Sequence, residues 1–138
     1  MEKKSELLKS LFEKDEMQNR INLITEQIIG CAYKVMNGLG IGFLEKVYEN
    51  ALAHEIDKLG YKVEQQRKIK VFYDKVEVGN YEPDLLVSEL VIVEIKTVKS
   101  LEEPHRAQCL NYLKATGYKT CLLINFGNTK VEVKRFSM

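Results

Sequence analysis

The sequence predicts a single α+β (α/β) domain with its elements in the order ααα-βββ-α-ββ, and three observations predict it. Apolar residues recur every third or fourth position up to Leu59 and again from Ala107 to Leu113, which is helical spacing. From Tyr61 the period changes to two, the alternation of strands. The chain has 138 residues, 45% apolar and 30% charged, an ordinary globular composition within the ~100–150 residues that one core organises.

The elements follow in order. Residues 3–18 carry Leu7, Leu8, Leu11 and Phe12 among many charges, a helix with a narrow apolar stripe. Residues 1–20 are therefore read as an N-terminal helical extension, and 21–138 as the domain. A homodimer formed through the stripe stays open beside docking on the chain's own core. A second helix runs from about Asn22 to Met36, with Asn22 or Thr25 as its cap, and stops where Gly38, Gly40 and Gly42 crowd together. A third runs from about Leu44 to Leu59 and ends at Gly60. Residues 62–73 and 76–87 read as strands with turns near Asp74 and Gly79, followed by the β-branched strand Leu90–Lys96. These three suggest an antiparallel meander. Residues 103–116 return to helix with Gly117 at the stop, and Cys121–Asn125 and Val131–Lys134 give two last strands.

Composition excludes several classes. No run approaches the ~20 apolar residues of a membrane span, and the N-terminus lacks the apolar stretch of a signal peptide, so a cytoplasmic protein without membrane partners is expected. Cys31, Cys109 and Cys121 lie in apolar patterns and read as buried reduced thiols. There is no CxxC pair, and His54 and His105 have no zinc-motif spacing to a cysteine. A net charge of +1 means that nucleic acid would have to be met by a local patch.

The chemistry gathers in Pro83-Asp84, then Glu94-Ile95-Lys96. Side chains alternate along a strand, so Glu94 and Lys96 share a face while Val91, Val93 and Ile95 enter the core. A carboxylate so placed requires a partner, either a metal or the lysine. If Ser88, Glu89 and Leu90 form the connection, Asp84 lies opposite Glu94; a two-residue turn would send it to the other face. Two close carboxylates call for a cation, and all-oxygen ligation selects magnesium or manganese over zinc. Phosphodiester hydrolysis uses such a metal together with a cationic group that orients water.

Gly42-Phe43-Leu44-Glu45-Lys46-Val47-Tyr48 resembles the GxxExxY signature of a family assigned to the PD-(D/E)XK nuclease superfamily. The resemblance runs from about Asn22 to Arg135. It takes in Leu39-Gly40, Tyr81, Asp84–Val87, Val93–Lys96, His105–Tyr112, Leu113–Gly117 and Leu122–Gly127. It implies a restriction-endonuclease-like αβββαβ core, a mixed central sheet flanked by helices, here with an extra N-terminal helix. Asp84 and Glu94 would bind metal with the Ile95 carbonyl, Lys96 would position the attacking water, and Glu45 would contact metal directly or through water. Gln108 and Tyr112 resemble a QxxxY pattern that lines the site in exonuclease-like branches. The family often has histidine where Met36 stands and proline where Ile41 stands.

Other readings stand beside these. Glu45 suits a helix N-terminus, Tyr48 suits packing, Gln108 and Tyr112 suit buttressing of the sheet, and His105 suits a solvent or substrate contact over metal ligation. Tyr48, His105, Arg106, Arg67 and Lys68 are the candidate substrate contacts, with Lys70 and Lys99 as further basic residues near the site. No run of aromatics marks a base-stacking platform. DNA is favoured over RNA by resemblance alone. The rival reading is a catalytically silent nucleic-acid-binding or protein-interaction module of the same fold.

Overall fold

The computed structural model describes residues 2–138, with side-chain surroundings from residue 3. Its elements are α1 (Glu2–Leu39), α2 (Glu45–Lys58), β1 (Val63–Gln65), β2 (Ile69–Tyr73), β3 (Val76–Tyr81), β4 (Leu85–Val87), β5 (Val91–Lys96), α3 (Glu103–Thr116), β6 (Thr120–Asn125) and β7 (Glu132–Ser137). Five strands form one sheet in the order β1-β4-β5-β6-β7, and β2-β3 is a separate pair. The sheet is mixed: β5 and β6 run parallel and every other neighbouring pair is antiparallel.

The two helices predicted over 3–36 are one helix of 38 residues. Nothing between Gln18 and Asn22 breaks it, since the junction holds no glycine or proline and asparagine lowers helix propensity only modestly. Asn22 and Thr25 therefore cap nothing and instead receive the Arg135 guanidinium, at 2.8 and 3.2 Å. The helix stops at Leu39 because Gly40 turns left-handed (φ 73°) and its N–H returns to Met36.

The predicted strands 62–73 and 76–87 each break in two. Gln66 has φ 54° and leaves the sheet, while Pro83 has no N–H to continue a ladder. Outside these breaks, β2 and β3 close through a two-residue turn at Asp74-Lys75, both with positive φ. Gly79 lies within β3, opposite Val71, and makes no turn. The remaining parts, β1 and β4, pair with each other, so the meander in the main sheet is β1-β4-β5.

The sheet divides the core. Val91, Val93 and Ile95 face α1 and α2 with Tyr48, Leu52 and Ile56. Leu86, Ile92, Cys121 and Leu123 face α3 through Cys109 and Leu113. All three cysteines are free and buried.

The segment after β5 is clamped. Val98 donates its N–H to Asn125 Oδ1 (2.9 Å) and its carbonyl accepts from Asn125 Nδ2 (2.8 Å). Gly127 lies so close that an added Cβ would come within 2.1 Å of the Val98 carbonyl oxygen.

Candidate active site

The connection between β4 and β5 is the three residues Ser88, Glu89 and Leu90, closed by the pair Val87↔Val91. Leu85 pairs with Val93, so Asp84 is next in register to Glu94. By alternation from Leu86 and Ile92, both lie on the α3 face of the sheet. The Asp84 N–H donates to Glu94 Oε1 at 3.2 Å, and the Ile95 N–H donates to Asp84 Oδ2 at 2.8 Å. The N–H and C=O of one strand residue point to the same edge, so the Ile95 carbonyl is directed toward Asp84. The Lys96 carbonyl points the other way and accepts from Phe126.

Glu94 is only 3% exposed. Burial, and then the neighbouring Asp84 charge, push its carboxyl up to about 9, with Lys96 opposing only weakly. Burial likewise raises Asp84, against hydrogen bonds from Ile95 and Gln66. Glu45 is the first residue of α2; burial and then Asp84 raise its carboxyl, while Lys96 lowers it. Glu45, Asp84, Glu94 and Lys96 thus share one electrostatic neighbourhood.

Tyr112 reaches this cluster from α3. Burial and then the Glu94 charge push its hydroxyl up to about 12, and Gln108 Nε2 donates to it at 3.4 Å. The QxxxY pair is thus joined by a hydrogen bond on α3, with the Tyr112 hydroxyl within the electrostatic reach of Glu94 and Asp84.

Other sequence candidates fall elsewhere. Tyr48 is fully buried; its hydroxyl donates to the Gly40 carbonyl (2.6 Å) and accepts from the Phe43 N–H (3.3 Å), and its ring stacks on Phe126 at 4.8 Å. It fixes the loop before α2 and offers no surface to a ligand. Arg67 bridges Glu64 and Glu89, each at 3.0 Å, toward the turn end of the β4–β5 hairpin. Arg106 lies over Phe136 of β7, 5.9 Å from the ring centre. His105 caps α3, its Nδ1 accepting from the Glu102 N–H at 3.0 Å. Lys68 is exposed in the loop after β1.

Sequence reasoning missed Gln66 and Glu49. The Gln66 amide donates to Asp84 Oδ1 (3.2 Å) and to Glu49 Oε1 (2.9 Å), and Glu49 is 3% exposed. Glu49 lies one helical turn beyond Glu45, a spacing that could have signalled it. Gln66 gave no such signal, because its position depends on the break in the strand.

The donors suit a hard divalent cation. The buried Glu94 and the half-buried Asp84, both with raised pKa values, and a carbonyl facing the same edge supply oxygen alone. Among the described residues no three His, Cys, Asp or Glu side chains are gathered closely enough to hold an ion by themselves.

Residues 22–136 match the family model of the PD-(D/E)XK nuclease superfamily. No curated protein matches the chain. A solved structure, the alkaline exonuclease LHK-Exo from Laribacter hongkongensis, is similar over 67% of this chain with 16% identity and a TM-score of 0.49; this chain spans 55% of that one.

Proposed function

Because the chain belongs to the PD-(D/E)XK nuclease superfamily, we propose that it hydrolyses phosphodiester bonds in nucleic acid, DNA in preference to RNA, at the Asp84–Glu94–Lys96 cluster. Within the superfamily we assign it to the GxxExxY family on Gly42, Glu45 and Tyr48, with residues 21–138 as the nuclease domain and 1–20 as an extension of its first helix. The supporting observation is the hairpin register, which sets Asp84 against Glu94 on one face beside a lysine.

Asp84, Glu94 and the Ile95 carbonyl would hold magnesium or manganese, with Glu45 reaching it through water. When bound, such an ion would polarise the phosphate and lower the pKa of an attacking water. Lys96, two residues along the strand from Glu94, orients the attacking water and offsets charge developing on the phosphate. Tyr112 keeps its proton at neutral pH and donates to a phosphate oxygen. Gln66 holds Asp84 in place.

Labelled single- and double-stranded DNA and RNA are incubated with magnesium or manganese, using wild type beside Asp84→Ala and Lys96→Ala. Cleavage by wild type alone supports the assignment. Equal cleavage by all three proteins indicates a contaminant, and binding without cleavage of any substrate establishes the silent module instead.

A further inference from the structure

An open cavity of about 550 Å³ is lined by Tyr81, His105, Ala107, Gln108, Asn111 and Tyr112 among others. Its size falls in the ~300–1,000 Å³ range of small-molecule sites. Tyr112 lines the cavity while its hydroxyl feels the Glu94 and Asp84 charges. Tyr81 ends β3, three residues before Asp84, and its ring meets that of Tyr112 edge to face at 4.7 Å and 80°. In such a pair the ring that presents its edge keeps its own faces free for a third flat group. Gln108 and the solvent-exposed Asn111 add carboxamides, each able to donate and accept. Every lining residue named is uncharged or a histidine whose Nδ1 is already bonded to the backbone.

Flat aromatic walls with paired donors and acceptors, beside a phosphodiester-cleaving centre, fit a heteroaromatic ring with a hydrogen-bonding edge. We propose that this cavity binds one unpaired nucleobase adjoining the scissile phosphate, so that the site takes single-stranded or frayed nucleic acid. A base within a duplex has its faces stacked and its edge paired, and cannot enter. The proposal rests on the nuclease reading and names the substrate of that same site.

The test separates binding from turnover. Fluorescence anisotropy in EDTA measures a labelled single-stranded 12-mer against a hairpin-capped duplex of the same sequence, for wild type, Tyr81→Leu and Asn111→Ala. Stacking on one aromatic is worth about ten-fold in affinity, so Tyr81→Leu should weaken single-strand binding about ten-fold and leave duplex binding unchanged. Asn111→Ala, at an exposed position, should weaken it less without disturbing the fold, which circular dichroism verifies. In magnesium, a single abasic position should suppress cleavage locally. Equal affinity for both ligands, or single-strand binding unmoved by both variants, overturns the pocket even if cleavage is robust. Absence of cleavage overturns the nuclease reading, while the anisotropy result still decides the pocket.

A different observation carries a second inference. Residues 3–20 of α1 are all exposed, including Leu7, Leu8, Leu11 and Phe12 at 48–63%. At ~100° per residue these four lie about a third of a turn around the helix from the Ile21, Ile24 and Ile28 face, so they do not extend the core. Lys4 and Asp15 lie in line with the stripe at its two ends. We infer that the stripe pairs antiparallel with that of a second copy, setting Leu8 beside Leu11, Leu7 beside Phe12, and Lys4 beside Asp15, each contact made twice about the two-fold axis. Parallel pairing would oppose like charges at both ends. Sedimentation of the full chain should show a concentration-dependent dimer, weakened by Lys4→Asp or Asp15→Lys and restored when both are combined. A monomer at all concentrations, or a double variant no better than the singles, overturns the pairing.

Discussion

The two ends of the β4–β5 hairpin use the same residue types to opposite effect. At the turn end, Lys62, Glu64, Arg67 and Glu89 form a network of exposed pairs at 3.0–3.3 Å. Their hydrogen bonds hold Glu64 and Glu89 below the usual carboxylate range. At the open end, Asp84 and Glu94 are pushed upward by burial, and among the described residues Lys96 makes no direct ion pair with either. In sequence, Lys62-Val63-Glu64 and Glu94-Ile95-Lys96 are near mirror images. One is satisfied and solvated; the other is centred on the buried Glu94 and short of positive charge. That contrast is what singles out the open end as the candidate site.

The contrast breaks most completely at its charges. Asp84→Ala and Lys96→Ala should each lower the cleavage rate by about 10²–10³-fold or more, read in single-turnover assays on protein whose circular dichroism is unchanged. Chelation by EDTA should abolish wild-type cleavage.

The next effect is on stability. Glu94 moves from an ordinary 4.5 to about 9 on folding, so between those values the folded chain binds more protons than the unfolded one. Stability should therefore fall as pH rises through that window and level off above about 9. Magnesium should restore several degrees of melting temperature at pH 8 and much less near pH 5. Glu94→Gln should flatten the pH slope and remove the metal shift; a magnesium effect equal at both pH values would contradict the assignment.

Smaller still is Gln66→Ala. The Gln66 hydrogen bond lowers the Asp84 carboxyl, so its loss should move the acid limb of the pH–rate profile upward by less than about one unit. Smallest is Arg67→Ala at the turn end. Exposed pairs contribute little, so its melting temperature should stay within about two degrees of wild type with cleavage unchanged. A large loss of activity there would show that the two ends are not separate.

Most of the architecture was legible because its punctuation is local. Gly40, Gly60 and Gly117 end their helices with positive φ, and the β-branched run Val91–Ile95 is a buried strand. The Asp84–Glu94 register was legible only as an alternative between a three- and a two-residue turn, and the pair Val87↔Val91 decides it for three. The breaks at Gln66 and Pro83 were hidden by intact alternation on either side, although proline itself signalled one of them. The continuity of α1 was hidden because two apolar stripes on different faces read as two helices. Long-range placement was least legible. Arg67 and Arg106 look like phosphate contacts by proximity in sequence, but folding turns one toward Glu64 and Glu89 and lays the other over Phe136. Tyr81 and Tyr112 lie 31 positions apart in sequence, and only the fold brings their rings together.

The clamp on Val98 has a consequence for how the protein is built. The chain leaving Lys96 is fixed by Asn125 and by the bare backbone of Gly127, both in or just beyond the parallel neighbour of β5, reached only after α3 has crossed over. Contacts between such distant segments are closed late and slowly. The segment that follows Lys96 therefore gains its anchor only after most of the chain has been synthesised and paired, and a ribosome-bound fragment ending before Thr120 would carry Asp84, Glu94 and Lys96 without that anchor.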